Sequence, residues 1–542
     1  MSLLSHVQTP LLTFPSHFPI IALSVLLYVL YLLSLAIYRL YFSPLASFPG
    51  PKLTALTGWY ETYLECFHNG GGKFTFHIRA WHEKYGPIVR INPWEIHIHD
   101  PLYYDTIYNT LPYDKLKENE YRFNAPHASF STPSHDHHRI RRSALAPFFS
   151  KRKVLAQAPF IQSRADKIVQ RLRDEYKGTG RVLCLNDVFA CFAGDVVTSY
   201  AFEKTYDFLG MPEFKSPFSK SVEGLKDLAH VIKHFPWVVK MAECLPEKAV
   251  VWMKPDVEPV LRFQAELKDQ VLSVIRSKSA PTPDEDKHGT IFSQLMESSL
   301  PPHELTLERL HDEAISVIGA GIETTKWALT IACFHILDNP HVLQRLRAEL
   351  EHAIPHAASI PPLSELEKLP YLKAVVDECL PLAFRSPPPC VRRDLPCLGV
   401  RLSYGTVGRS PRISHDKSFT YGEWKIPPGT PVSMDTWHMH NDESLYPNAQ
   451  SFRPERWLGE PKGPDGKSFL SRYMTAFGKG NRICLGMHMA LAEITIGIAT
   501  VFRGAGGELE LFETTREEVD CVHDMLAPEP RRGGKGIRVL VN

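Results

Sequence analysis

The residues with the clearest capacity for chemistry lie between Phe477 and Gly486, in the stretch Phe-Gly-Lys-Gly-Asn-Arg-Ile-Cys-Leu-Gly. Gly478 and Gly480 permit backbone conformations and close approaches that other residues do not. Met487, Ala490, Leu491 and Ile494 then recur at helical spacing, so a loop feeding a helix is expected. A thiolate at Cys484 would sit near a helix N-terminus and backbone N–H groups, which favour the deprotonated sulfur and its use as a metal ligand. Arg482 adds positive charge. The plainer role for such a cysteine is packing as a small hydrophobe. A second candidate is Ala320-Gly321-Ile322-Glu323-Thr324-Thr325, on a long helix that Thr306 can cap and that runs through Leu307, Leu310, Ala314 and Ile318. Glu323 and Thr324 pair an acid with an alcohol, able to organise water and relay protons. Gly321 costs about 1 kcal/mol inside a helix, so something should need the space or the bend. A third is the basic segment His135 to Lys153, with Arg139, Arg141, Arg142, Lys151, Arg152 and Lys153; a solvated helix face is the ordinary explanation of such charge.

The full spacing Phe-x-x-Gly-x-Arg-x-Cys-x-Gly resembles the haem-binding loop of the cytochrome P-450 superfamily. That resemblance implies Cys484 as the axial thiolate on the iron of haem b, pushing electron density that favours O–O cleavage, with Phe477 packed beside it. His138-Arg139-Ile140-Arg141-Arg142 resembles the family's Trp-x-x-x-Arg helix, with His138 in the tryptophan position; Arg142 and His138 would donate to a haem propionate. Arg412, in Gly408-Arg409-Ser410-Pro411-Arg412, matches the arginine that reaches a propionate from a strand, with Arg409 a nearby competitor, and Arg482 would hold a propionate as well. Glu323-Thr324 resembles the family's proton-delivery pair, and dioxygen is the candidate for the space at Gly321.

Composition agrees with a large globular protein. The 542 residues are 44% hydrophobic and 22% charged, and the net charge of +1 gives no bulk attraction for nucleic acid. Length alone suggests two or more domains. Ten cysteines without tight repeated spacing do not form a disulfide framework or a zinc pattern, and a reducing compartment fits. Phe18 to Tyr38 is a mostly apolar run that, as a helix, spans about 31 Å, close to a bilayer core. A secretory signal is the alternative, but the basic n-region is absent and Arg39 and Lys52 follow the run. The expected organisation is a short lumenal N-terminus (1–17), a transmembrane anchor (18–38), a basic and proline-containing hinge (39–52) and a catalytic domain (53–542). That places a single-pass protein in the endoplasmic reticulum membrane with its catalytic domain in the cytosol.

Ile88 to Ile91 and Glu95 to Ile98 alternate as short antiparallel strands; residues 155–275 read as mainly helical; Ser277 to Thr290 reads as an exposed loop; Asn339-Pro340 opens another helix; and Pro431 to Met434 and Ile537 to Val541 read as strands. The resemblance implies a fold class that is mainly α with small β-sheets, the cytochrome P-450 fold preceded by one transmembrane helix. The helix Tyr371 to Leu380 should continue Glu-x-x-Arg from Glu378, but position 381 is proline. Joining Leu380 to Arg401 restores the motif, so Pro381 to Val400 reads as a foreign insertion, a retained intron of twenty codons translated in frame. A genuine loop, with Arg385, Arg392 or Arg393 as partner, is the alternative. By resemblance Glu378 and Arg401 would lock with Arg456 to brace the fold behind the thiolate.

The resemblance implies a monooxygenase that inserts one atom of O₂ into a small hydrophobic substrate of fungal secondary metabolism, a terpenoid or polyketide. Electrons would come from NADPH through a membrane-bound flavoprotein reductase docking on basic residues that include Arg139, Arg141 and Lys479. The alternatives are an inactive or haem-free product of the interrupted helix, and a haem-thiolate isomerase that needs no external electrons.

Overall fold

The structure is a computed structural model that describes all residues except 1–17, 122–123, 203, 205, 217–220, 222–228, 279–289, 358, 383–408, 505–507, 521, 526 and 532. Its first helix, α1 (Phe18–Ile37), is long, uncharged and unburied; with the π-helical turn Tyr38–Phe42 it is long and apolar enough to cross a membrane. The rest is built on one long helix. That helix is α6 (Leu307–Leu337), and among the helices around it are α2 (His135–Leu145), α3 (Lys151–Arg171), α4 (Leu185–Phe202), α5 (Glu258–Lys278), α7 (Pro340–Ala353), α8 (Pro370–Leu382) and α9 (Met487–Gly504).

Helix α6 is the central element because most of its circumference is apolar or paired. Thr306 caps it through its hydroxyl, which accepts from the Arg309 N–H at 3.3 Å, and α4, α5, α8 and α9 pack around it. A helix apolar on all sides has to be interior. The main core joins α3 through α9, and a second apolar cluster, including Ile96, Ile98, Tyr104, Tyr108, Val432 and Tyr446, backs a sheet. Helix α5 runs to Lys278, and Thr290 caps the next helix, so the expected loop is at most 279–289, which lies outside the described residues.

That sheet contains β1 (Ile88–Arg90), β2 (Ile96–Ile98), β3 (Asp114–Lys115), β4 (Arg412–Ile413) and β5 (Val432–Ser433), in the order β1-β2-β5-β4-β3. β1 and β2 are antiparallel with Ile88 opposite Ile98, as the alternation predicts, and β2 runs parallel to β5 with His97 beside Ser433. In the antiparallel β3–β4 pair, Lys115 faces Arg412. The C-terminal strand Arg538–Val541 closes a second sheet between Leu183–Cys184 and Leu509–Leu511. Helix α8 retains Pro381 in its last turn and ends at Leu382, where only a terminal ladder bond is lost. Arg401 and residues 383–400 of the expected insertion lie outside the described residues, as do Arg385, Arg392 and Arg393.

Candidate active site

The loop before α9 is fixed by backbone contacts. Gly478 and Gly480 have φ of 65° and 68°, and a Cβ at Gly480 would stand 2.0 Å from the Asn109 carbonyl oxygen. Asn481 ties the same segment down, its N–H donating to the Asn109 carbonyl at 3.2 Å and its side chain to the Thr110 carbonyl at 2.7 Å. The Cys484 N–H donates to the Phe477 carbonyl at 2.8 Å, closing the loop, and the Phe477 ring packs against the main core. Cys484 is solvent-accessible although protein surrounds it on all sides, which places it on the wall of an internal hollow.

Burial pushes the pKa of the Cys484 thiol above the ordinary value, and the Gly486 N–H donated to sulfur and the charge of Arg142 offset this only in part. Burial thus opposes ionisation of the free thiol, and a bound metal cation would favour the thiolate.

Around this wall the chain gathers cations. Arg142 from α2 is close enough to feel the Cys484 charge. Arg482 donates to the carbonyls of Thr132 (2.7 Å), Pro133 (2.8 Å) and Ser134 (3.2 Å), yet its Nε is buried with no partner. Burial, then Arg412 and Arg142, push Arg482 down to about 9. Arg412 is buried over the Tyr108 ring at 4.9 Å and donates to the Ser410 carbonyl (3.0 Å) and hydroxyl (2.9 Å). His138 is buried and pushed down to about 2 by burial, then by Arg482, Lys115 and Arg142, so it is neutral. Lys115 is a member that carried no sequence signal; only the register of β3 against β4 brings it opposite Arg412. Its ammonium donates to the Phe130 carbonyl at 2.9 Å and lies 4.2 Å from the Phe130 ring centroid. Like charges directly opposite on a ladder destabilise it. Several buried cations drawn together, an orphaned guanidinium N–H and an accessible thiol fit a planar metal-bearing group with carboxylates at its edge, which is the donor set haem requires.

The competitor Arg409 is excluded. It is buried against Phe74 and ion-paired to Glu61 at 2.6 Å and Glu95 at 3.0 Å. Arg141 departs from the expected docking face, because it is buried with its Nε 2.7 Å from Glu304, and Lys479 is paired to Asp105 at 2.5 Å; Arg139 is exposed. Glu304 also meets His137 (2.5 Å) and Arg309 (3.2 Å), so this carboxylate ties α2 to the start of α6 and orients the arginine helix. No motif announces Glu304, since its partners come from separate elements.

On α6, Ala320 and Thr324 are accessible while Ile322, Glu323 and Thr325 are buried, so one stripe of an interior helix opens on a hollow. The Thr324 hydroxyl donates to the Ala320 carbonyl at 2.8 Å. Glu323 is buried and ion-paired to Lys326 at 2.6 Å. The space at Gly321 serves packing, correcting the expectation: a Cβ there would meet Val197 of α4 at 2.7 Å, whereas a Cβ at Gly319 meets nothing within 4 Å. Behind the loop, Glu378 is fully buried and accepts from Arg456 Nε (3.2 Å), the Arg453 N–H (3.2 Å) and Trp457 Nε1 (2.7 Å).

The sequence model of the cytochrome P450 family matches residues 59–407 and 401–504, two segments that overlap at 401–407. Curated relatives include the cytochrome P450 monooxygenase orf4 of Eupenicillium brefeldianum, 41% identical over 94% of this chain and 96% of that protein. The cytochrome P450 monooxygenase sdnE of Sordaria araneosa is 40% identical over 95% and 96%. The tryptophan 6-hydroxylase fscE of Fusarium equiseti is 38% identical over 96% and 97%.

Proposed function

Because this chain belongs to the cytochrome P450 family and is a monooxygenase whose cofactor is haem iron, we propose that it oxidises a small hydrophobic substrate of fungal secondary metabolism, a terpenoid or polyketide. Haem b, when bound, supplies the oxygen activation. Cys484 presents sulfur to the iron, and the Gly486 N–H that donates to that sulfur moderates its basicity. Arg142, Arg412, Arg482 and Lys115 hold the propionates, with His138 neutral beside them. Thr324, on the open stripe of α6, holds a proton at its hydroxyl for delivery into the hollow, and Glu323, ion-paired to Lys326, polarises water at the helix. Ala320 and Gly319 leave that stripe small and apolar, which suits a greasy ligand. The apolar α1 anchors the chain in the endoplasmic reticulum membrane, where a flavoprotein reductase delivers electrons from NADPH.

The observation that carries this reading is the gathering of Arg142, Arg412, Arg482 and Lys115 beside the accessible Cys484. Membranes containing the protein and a reductase, offered terpenoid and polyketide panels under ¹⁸O₂, should give a product with one labelled oxygen that requires NADPH and reductase. A rearranged product formed without O₂, NADPH or reductase would establish the isomerase instead.

Pro381 to Val400 we read as foreign to the mature protein. The family match divides over 401–407, which supports that reading. A mature transcript that retains all twenty codons as its only form would refute it.

A further inference from the structure

Four histidines that the redox site does not use lie together at the sheet: His82, His97, His99 and His438, with ring centroids 5.0 to 5.7 Å apart in the contacting pairs. His82, His97 and His438 are buried, and so is Asp435. Their hydrogen atoms can be assigned from one end. The Gly86 carbonyl can only accept, so the His82 Nδ1 that lies 2.8 Å from it carries the hydrogen, and a neutral His82 turns a lone pair at Nε2 toward His97. His97 Nδ1, 2.7 Å away, must then donate. A neutral His97 is left with a lone pair at Nε2, aimed at Asp435 Oδ2 across 3.0 Å. Two electron-rich atoms at that distance in a dry interior require a cation between them.

The same carboxylate oxygen lies 2.7 Å from His438 Nδ1, and His438 Nε2 is buried with no hydrogen-bond partner. Two imidazole nitrogens and a carboxylate oxygen thus converge, all within 4.8 Å of one another. Tetrahedral zinc, with bonds of about 2.0–2.2 Å, sets its donors ~3.3 Å apart; the carboxylate oxygen stands 3.0 Å and 2.7 Å from the two imidazole nitrogens, which lie within 4.8 Å of each other, so the donors adjust to close on the ion. The hydrogen-bond relay from His97 through His82 to Gly86 is the outer support that fixes the tautomer of a ligating imidazole.

We propose that His97 Nε2, His438 Nδ1 and Asp435 Oδ2 hold a buried divalent transition metal, zinc by donor set, as a structural ion. It joins β2 to the turn that follows β5, two segments 338 residues apart in sequence that already pair in parallel through Ile96 and Val432. Met434, just before Asp435, accepts at its carbonyl from the Tyr108 hydroxyl at 2.6 Å, and the Tyr108 ring underlies Arg412. The ion therefore also stiffens the wall that carries the propionate cradle. The spacing of His97 to Asp435 is too long for any sequence pattern of metal ligands to reveal it.

The test is the metal content of full-length holoprotein, produced with zinc in the medium and purified without a histidine tag or chelator, by inductively coupled plasma mass spectrometry. About one zinc per chain is expected in addition to haem iron. His97→Gln and His438→Gln should each lower it at least tenfold while haem content persists; His415→Gln, at an exposed histidine, should leave it unchanged. Wild-type protein without non-haem metal, or with metal that both ligand variants retain, overturns the proposal. If the variants do not accumulate, the wild-type content decides alone.

Discussion

Lys115→Met separates a cofactor-binding lysine from a structural one, because the two roles give opposite signs. Lys115 is 8% exposed and faces Arg412 across the β3–β4 ladder, and its ammonium donates to the Phe130 carbonyl. In protein without haem, removing it relieves a like-charge pair worth about 0.2–1 kcal/mol and forfeits a hydrogen bond worth about 1 kcal/mol. These nearly cancel, and methionine keeps the length of the stem, so the apoprotein should melt within a few degrees of wild type. With haem bound, the lost contact is to a buried carboxylate. Coulomb attraction at about 4 Å and an effective dielectric constant of ~20 sets a ceiling of ~4 kcal/mol, and a hydrogen bond to a charged group nets about 1.5–3 kcal/mol. Haem affinity should therefore fall roughly 10- to 100-fold. The assay is titration of haem into apoprotein expressed under haem limitation, followed by Soret absorbance, with melting curves of both forms. Equal loss of stability in both forms, with unchanged haem affinity, would refute the cradle.

Burial pushes the Glu304 carboxyl up, but the bonds from Arg141 and His137 and the charge of Arg309 hold it down at about 2. Its contribution is thus complete above the ordinary value of 4.5 and is lost as pH falls toward 2; Glu304→Gln should cost about 3–5 kcal/mol at neutral pH and flatten the acid limb of a melting profile. Gly480→Ala should release haem, since the methyl group meets a backbone oxygen at 2.0 Å in a left-handed conformation, a strain of at least about 1–3 kcal/mol; haem retention on gel filtration checks it. Gly321→Ala should lower the melting temperature through its clash with Val197, and Val197→Ala in the same chain should restore part of it. Deleting 381–400 should raise the yield of haem-loaded protein over the full chain, read from the reduced carbon monoxide spectrum.

Motif residues were legible in the sequence where chemistry is local. The loop around Cys484, the Thr306 cap, the alternating β1 and β2 and the helix opened by Pro340 follow from glycine, capping and periodicity rules that act within a few residues. What escaped depends on chain segments far apart. Lys115 joins the cradle only through ladder register, Glu304 through three elements, and Trp457 through the fold behind the loop. Arg141 read as surface charge because a basic run does not reveal which side faces Glu304. The glycine argument at 321 was sound in requiring a neighbour, but that neighbour is Val197. At Cys484 desolvation, which no local pattern expresses, opposes the nearby N–H groups.

The most direct measurement of the central claim is the reduced carbon monoxide difference spectrum of the haem-loaded chain beside that of Cys484→Ser. Cys484 as the iron ligand predicts a thiolate-type Soret band in the parent and its loss in the variant, with haem still detectable as pyridine haemochrome. A thiolate-type band that persists in Cys484→Ser would contradict it.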